Sequence, residues 1–167
     1  MPRLQLLDDL ARCIDSGGGH FETRTLCEVS CQGQFLPVQA IMVGNPDLRV
    51  PAVGFFGGVH GLERIGAGVV LAFLQNLAGR LRWDTTLNAL LESVRIVFMP
   101  MVNPGGILAG TRANPNGVDL MRNAPVDSRE RVPWLIGGQR LSPRLPWFRG
   151  GLDQPMEAES RAVWEVV

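Results

Sequence analysis

The chain has 167 residues, of which 46% are hydrophobic, and its 16 basic residues balance its 16 acidic residues at pH 7. This length and apolar content allow one hydrophobic core, so residues 1–167 are expected to form a single domain. A neutral chain gains little from a polyanionic surface, which argues against a nucleic acid or a membrane as its partner.

The N-terminal part of the chain alternates between helical and strand patterns. A first helix, ended by the glycines at 17–19, is predicted from the spacing of the apolar residues Leu4, Leu7, Leu10, Ala11 and Ile14. Residues 21–30 and 35–43 alternate as strands on either side of Gln32-Gly33, which predicts a β-hairpin.

The next segments predict a strand, a helix and another strand. Residues 50–56 form a continuous apolar run, which is typical of a central strand buried on both faces. Residues 94–102 predict the next buried strand. The helix between them, after Glu63, is predicted to bury a face made of Ile65, Val69, Phe73, Leu77 and Leu81.

From Asn103 to Gly151 the chain is rich in Gly, Pro and Asn and is predicted to be mainly loop. Long loops at strand ends commonly carry active sites. A hairpin followed by strand, helix and strand indicates an α/β domain with a mixed sheet sandwiched by helices. The site is expected at the carboxyl ends of the central strands.

His60 and Glu63 follow the apolar run 50–56 at a glycine-rich corner. Residues i and i+3 at a helix start project to the same side, so both side chains can reach one metal ion at about 2 Å. An open zinc site activates water and polarises a carbonyl, which indicates hydrolysis. A single His-x-x-Glu pair is more often a surface hydrogen bond or a helix-start carboxylate, so this interpretation depends on further motifs.

A second block supplies those motifs: Asn-Pro-Gly-Gly at residues 103–106 and Asn-Gly-Val-Asp-Leu-Met-Arg-Asn at residues 116–123. Together the two blocks resemble the zinc carboxypeptidase family, including its small bacterial members and the related deacylases that remove acyl groups from amino acids. The resemblance covers approximately residues 51–167.

The resemblance implies a role for individual residues. His60 and Glu63 match two zinc ligands, and Asp119 matches the aspartate that hydrogen-bonds the ligating histidine. This agrees with the need of a ligating imidazole for an acceptor at its other N–H. From the residues alone, Asp119 can equally cap a loop.

Three more positions of the second block match residues that contact substrate in the family. Arg112 falls on an arginine that stabilises the oxyanion, and Arg122 on the arginine that binds the substrate carboxylate, which suits its forked donors. Met121 stands where the family usually has an asparagine that helps hold this carboxylate. Either arginine can also be read as a solvated surface charge.

The resemblance also implies groups that are not found in this chain. In the family, a third ligand histidine and a catalytic glutamate follow the helix that begins here near residues 154–159. The other histidine, His20, precedes the first strand and is expected at the surface. The chain reaches Val167 within an amphipathic helix that no glycine or asparagine closes, which predicts a domain truncated at its C-terminus.

These inferences lead to a zinc-dependent hydrolase of the carboxypeptidase type, cleaving an amide bond next to a substrate carboxylate. The 167-residue chain, with one Zn²⁺ site that lacks its third ligand, is expected to be inactive. Two alternatives stay open. One is an N-acyl amino acid deacylase of the same fold, and the other is a non-catalytic remnant that binds a partner or a metal weakly.

Two further expectations concern the molecule's surroundings. Strands missing from the sheet would leave an unpaired edge, which predicts self-association. The three cysteines, Cys13, Cys27 and Cys31, form no CxxC pair and are odd in number, which favours reduced thiols. Because the sequence also shows neither a signal peptide nor a membrane-spanning stretch, it predicts a soluble cytoplasmic protein.

Overall fold

Helices and strands follow one another along a four-stranded sheet. The computed structural model describes residues 4–125 and 155–167. The strands are β1 (Phe21–Cys31), β2 (Gln34–Gly44), β3 (Ala52–Phe56) and β4 (Arg95–Met99). The helices are α1 (Gln5–Gly17), α2 (Arg64–Leu81), α3 (Thr85–Leu91), α4 (Pro104–Ala109) and α5 (Ala158–Val166), with single 3-10 turns at Gly18–His20 and Leu120–Arg122. The part of the predicted loop at 126–151 lies outside the described residues.

The sheet is mixed, as predicted. Its strand order is β1-β2-β4-β3, with β1 and β4 antiparallel to β2 and with β3 parallel to β4. The predicted hairpin is confirmed. Its turn consists of Gln32 (φ 50°) and Gly33 (φ 74°), and two successive left-handed residues make the turn whose twist suits antiparallel strands.

Helices cover both faces of the sheet, which confirms the predicted sandwich. On one face, α1 and α2 pack against residues of β2 and β4, and this core includes Leu10, Leu74, Ile41 and Phe98. The opposite core includes Val38, Met99 and, from α5, Ala162. Because neighbouring strand residues point to opposite faces, Phe98 and Met99 enter different cores.

The position of β3 differs from the prediction. The run at 50–56 was expected to form a central strand, but β3 is an edge strand of the described sheet, and Val53 on it is 54% exposed. Its apolar composition is that of a strand covered on both sides. Among the described residues, only β4 pairs with it.

The buried face of α2 also differs from the predicted one. Leu77 and Leu81 are buried, whereas Ile65 is 83% exposed and Val69 is 62% exposed. The buried residues of this helix are Ala67, Val70, Leu71, Leu74, Leu77, Ala78 and Leu81. Apolar residues surround α2 on most sides, so their spacing alone does not select the face that packs on the sheet.

Two short helices, α3 and α4, were not predicted from the sequence although their capping residues are present. Asp84 accepts a hydrogen bond from Leu87 N (2.9 Å) and begins α3, and Asn103 accepts one from Gly106 N (2.8 Å) and begins α4. Gly110, with φ 67°, ends α4 in the left-handed conformation common at helix ends. In the described part of the chain, no helix combines the length and apolar character needed to cross a membrane.

Candidate metal centre

The loop between β3 and α2 places His60 at the carboxyl ends of the two parallel strands. Gly57 N donates to Met99 O (2.9 Å), Val102 N donates to Gly57 O (2.9 Å), and Asn103 N donates to Gly58 O (3.0 Å). These bonds continue the β3–β4 pairing beyond the strands. His60 and Asn103 therefore leave the sheet at one edge, where the sequence predicts the site.

A close backbone contact fixes the residue after His60. A Cβ atom on Gly61 would overlap the backbone carbonyl of Gly106 and the carbonyl oxygen of Thr111. Asn103, which caps α4, also donates from Nδ2 to Val59 O (3.2 Å), just before His60. The first turn of α4 thus holds the His60 loop from both sides.

His60 lies between two carboxylates. Its Nδ1 is 3.0 Å from Glu63 Oε1, and its Nε2 is 3.1 Å from Asp119 Oδ1. His60 and Asp119 are buried, whereas the Glu63 side chain is mostly exposed. Solvent therefore reaches the centre from the Glu63 side.

Asp119 has three partners. Its Oδ1 also accepts from Met121 N (3.1 Å), and its Oδ2 accepts from Arg112 Nε (3.0 Å). Burial disfavours the charged carboxylate, but the hydrogen bond and charge of Arg112 and the charge and hydrogen bond of His60 outweigh it. The pKa of Asp119 is therefore lowered, and the group is an anion at neutral pH.

Arg112 lies beside the same pair of acidic groups. Besides its bond to Asp119, its Nη1 is 3.7 Å from Glu63 Oε1, and about half of its side chain is exposed to solvent. One guanidinium therefore spans the carboxylates on the two sides of His60, leaving donors that face solvent.

Arg122 and Met121 follow Asp119 on the short turn Leu120–Arg122. Arg122 is partly buried, and its Nε is a buried donor without a hydrogen-bond partner in the described part of the chain. Met121 is 56% exposed. Over the residues described, no ion pair joins Arg122 to Glu63 or Asp119, whose ion pairs are with His60 and Arg112.

The His60–Glu63 pair fits two positions of a zinc site. Two ligands of a tetrahedral zinc ion are about 3.3 Å apart when each bond is about 2.0 Å. The observed separation of Nδ1 and Oε1 is close to this, at 3.0 Å. Within residues 4–125 and 155–167, no group of three or more His, Cys, Asp and Glu side chains is placed to hold a metal ion.

A set of polar contacts between the loop before Asp119 and the start of α5 was not predicted from the sequence. Asn114 Nδ2 donates to Glu157 Oε2 (2.9 Å), and Asn116 Nδ2 donates to the same oxygen (2.6 Å). The sequence indicates only turns at the asparagines and only a helix start at Glu157. No local pattern indicates that residues about 40 positions apart will meet.

The other histidine, His20, is exposed beside β1, as expected. It lines a shallow cavity of about 530 Å³ with residues at the ends of β2 and α3, including Gly44 and Leu91. This cavity lies near the amino-terminal end of β4, away from His60 at the carboxyl end.

Known proteins similar to this chain point to one family. The family model described as zinc carboxypeptidase matches residues 27–145. Carboxypeptidase E of Caenorhabditis elegans is 32% identical over 161 residues, which cover 86% of this chain and 34% of that protein. Carboxypeptidase SOL1 of Arabidopsis thaliana is 33% identical over 75 residues, or 45% of this chain and 15% of that protein.

Solved structures show a similar fold. Bovine thrombin-activatable fibrinolysis inhibitor, solved in complex with tick carboxypeptidase inhibitor, gives a TM-score of 0.66 at 18% identity, covering 97% of this chain and 53% of that one. A metallopeptidase structure from Shewanella amazonensis gives a TM-score of 0.57 at 20% identity and covers 97% of this chain and 48% of that one. At these identities the likeness concerns the fold alone.

Each of these matches covers only part of the relative. The chain spans 34% of the length of the Caenorhabditis elegans relative and 15% of the Arabidopsis one. The match to the family model, at residues 27–145, covers more than half of this chain. This chain belongs to the zinc carboxypeptidase family.

Proposed function

We propose that this chain contributes part of the metal centre of a zinc-dependent hydrolase that cleaves an amide bond next to a substrate carboxylate. The observation that supports this most is the position of His60, whose two ring nitrogens each face a carboxylate at 3.0 and 3.1 Å. One carboxylate is exposed and suited to share a metal ion with the ring. The other is buried and suited to orient it.

Each residue of the centre has a distinct role in this proposal. His60 Nδ1 and a Glu63 oxygen would hold the zinc ion. Asp119 accepts a hydrogen bond from the Nε2–H group of His60, which leaves the Nδ1 lone pair free for the metal. When bound, zinc supplies a Lewis acid and an activated water. Arg112 is anchored through Nε by Asp119, and its remaining donors would stabilise a carbonyl oxygen that gains negative charge.

Arg122 is proposed to bind the substrate carboxylate. Its buried Nε, which no described residue accepts from, is a donor whose burial is costly until an acceptor arrives. A carboxylate satisfies it together with the terminal nitrogens of the same guanidinium. The exposed side chain of Met121 beside it offers apolar contact and no hydrogen bond.

The zinc site is tested by competition with a chromogenic chelator. We expect saturable one-to-one zinc binding that falls at least tenfold in His60→Ala and in Glu63→Ala, because each variant removes one of two proposed protein ligands. His20→Ala is the matched control, since it removes the other histidine of the chain and leaves the centre intact. Binding that is absent, or that both variants retain, would contradict the proposed zinc site and favour a remnant whose role is not catalytic.

Met121 favours a second candidate, an N-acyl amino acid deacylase of the same fold. A deacylase also needs an arginine for the carboxylate of its substrate, but an apolar neighbour changes how this carboxylate is held. Hydrolysis of short peptides and of acyl amino acids by a protein of the relatives' full length separates the two. The 167-residue chain alone is expected to hydrolyse neither, because its described residues supply two metal ligands.

A further inference from the structure

Residues at the start of α5 bind the loop that leads to Asp119. Glu157 Oε2 accepts hydrogen bonds from Asn114 Nδ2 (2.9 Å) and Asn116 Nδ2 (2.6 Å). Asn114 Nδ2 also donates to Glu159 Oε1 (3.2 Å). Two acidic residues of one helix start therefore hold two amides of one loop.

Asn114 gives this loop its shape. Its Oδ1 accepts from the backbone nitrogens of Asn116 (3.1 Å) and Val118 (3.0 Å), and its own N donates to Val118 O (2.9 Å). Asn114 and Val118 are both buried. The loop 114–118 is thus closed on itself, and its orientation follows that of the Asn114 side chain.

The loop is flanked by two residues of the metal centre. Arg112 lies two positions before it and Asp119 directly after it. On the far side of Asp119, Asn123 Oδ1 accepts from Glu157 N (2.6 Å), and Asn123 Nδ2 donates to Pro155 O (3.2 Å). Residues 155–159 therefore hold the segment on both sides of Asp119.

Polar contacts of this kind are not the energetically most favourable way to attach α5 to the loop. Glu159 is 2% exposed, and among the described residues its carboxylate accepts from the Asn114 amide and forms no ion pair. Burying a carboxylate costs free energy that a neutral donor only partly offsets, so an apolar side chain would attach α5 at lower cost. What the acidic residues add is directional bonding, which fixes the amides they bind.

We propose that Glu157 is a positioning residue of the metal centre, acting through Asn114 and Asn116 to place Asp119 against His60. The inference rests on the proposed function, in which Asp119 orients the zinc ligand. Loss of the Glu157 carboxylate removes two of the three side-chain hydrogen bonds that join the loop 114–118 to Glu157 and Glu159. The loosened loop lets Asp119 move from His60 Nε2 and lowers the zinc affinity without removing a ligand.

Two readouts test this in the 167-residue chain: zinc affinity by chelator competition, and the ring ¹⁵N signals of His60 in the metal-free protein. The chain has two histidines, so the signals of His60 are assigned with His20→Gln. In Glu157→Ala, we expect the zinc affinity to fall by about tenfold, the lower end of the effect of losing a group behind a metal ligand. The His60 signals should move towards those of Asp119→Ala.

Two control variants separate positioning from mere attachment of α5. Glu157→Gln keeps an oxygen acceptor for both amides and should restore most of the affinity and the wild-type His60 signals. Glu165→Ala removes an exposed acidic residue of the same helix and should change neither readout. If Glu157→Ala does not fold, Asn116→Ala removes one of the two hydrogen bonds that Glu157 accepts from the loop, and a smaller change in the same direction is expected in both readouts.

The outcomes distinguish this inference from the proposed function. If the wild-type chain binds no zinc, the proposed function fails, while the metal-free His60 signals still decide whether Glu157 positions Asp119. Unchanged His60 signals in Glu157→Ala, or in Asn116→Ala where the first does not fold, would overturn the inference. The same holds if Glu165→Ala has an equal effect, because the role of α5 would then be general stability.

Discussion

Asp119 links the two functional side chains beside it. One oxygen faces His60 and the other accepts from Arg112, so the orientation of the imidazole and that of the guanidinium depend on the same buried carboxylate. The lowered pKa of Asp119 keeps it anionic, which both partners require. A single substitution at this position is therefore expected to disturb the proposed metal ligand and the proposed oxyanion group together.

Glu159 makes the stability of the fold dependent on pH. Burial raises its pKa above the ordinary value of 4.5; its backbone hydrogen bond and Asn114 oppose this, and the charge of Glu157 adds to it. A carboxyl group whose folded-state pKa is raised stabilises the protein fully below its unfolded pKa. This contribution is lost as the pH rises through the folded value.

The prediction is that Glu159→Gln loses less unfolding free energy than the wild type when the pH rises from about 4.5 towards neutrality, because the amide does not ionise. Urea unfolding at a series of pH values measures this. Glu165→Gln, exposed on the same helix, should keep the wild-type profile. Parallel pH profiles for the wild type and Glu159→Gln would contradict the assignment.

Much of this site could be predicted from the residues, but not all of it. His60, Glu63 and Asp119 were found because their motifs are local, and the structure brings the three together. Two sets of contacts were not predicted from the sequence. One is that of Arg112 with Asp119 and Glu63, and the other is that of Glu157 with Asn114 and Asn116. These contacts join segments whose approach depends on packing and leaves no periodic pattern in the sequence.

At the level of helices and loops, the centre depends on the contact between the His60 loop and α4. Gly61 packs directly on the backbone of Gly106, and none of the nearest atoms that a Cβ would meet belongs to a flexible side chain. The loop and the helix must therefore separate to accept any larger residue.

We predict that Gly61→Ala lowers the free energy of unfolding by about 1–3 kcal/mol, as overpacking of a rigid contact does, and also weakens zinc binding. Gly68→Ala is a matched control, because a Cβ at that position of α2 has open space and alanine favours a helix by about 1 kcal/mol over glycine. Denaturant unfolding and chelator competition measure the two effects. Equal stability of Gly61→Ala and the wild type would refute the prediction.

The element predictions succeeded where one interaction dominates. The β1–β2 hairpin and α1 were predicted correctly, because a tight turn and a single apolar stripe determine them. The prediction of the buried face of α2 was wrong, because apolar residues occur on most sides of this helix. The prediction that residues 50–56 form a central strand was wrong. An apolar run indicates that a strand tends to be buried on both faces, but it does not identify the segments that pack against it.

At the scale of the whole molecule, exposed apolar side chains occur on β3, an edge strand of the described sheet, and on α2. Val53 on the edge strand and Ile65 and Val69 on the helix are all exposed. Unpaired strand edges beside apolar surface favour association with another chain. Self-association through these residues is accordingly our proposal for the isolated chain.

Light scattering of the 167-residue chain tests this proposal. We expect a mass above that of a monomer, shifting towards the monomer in the double variant Ile65→Lys, Val69→Lys, because two charges resist burial in an interface. Leu90→Lys, at an exposed apolar position of α3, should leave the association unchanged. A monodisperse monomer for the wild type would contradict the proposal. The cytoplasmic location stays a prediction.

The sequence by itself determined the family, the mixed α/β architecture and the residues around His60, because these depend on short motifs and on the spacing of apolar residues along one segment. Only the tertiary structure decided that β3 is an edge strand of the described sheet, which side of α2 is exposed and that Glu157 holds the loop before Asp119. Contacts of this second kind join distant segments, and their free energy depends on how the whole sheet and its helices pack.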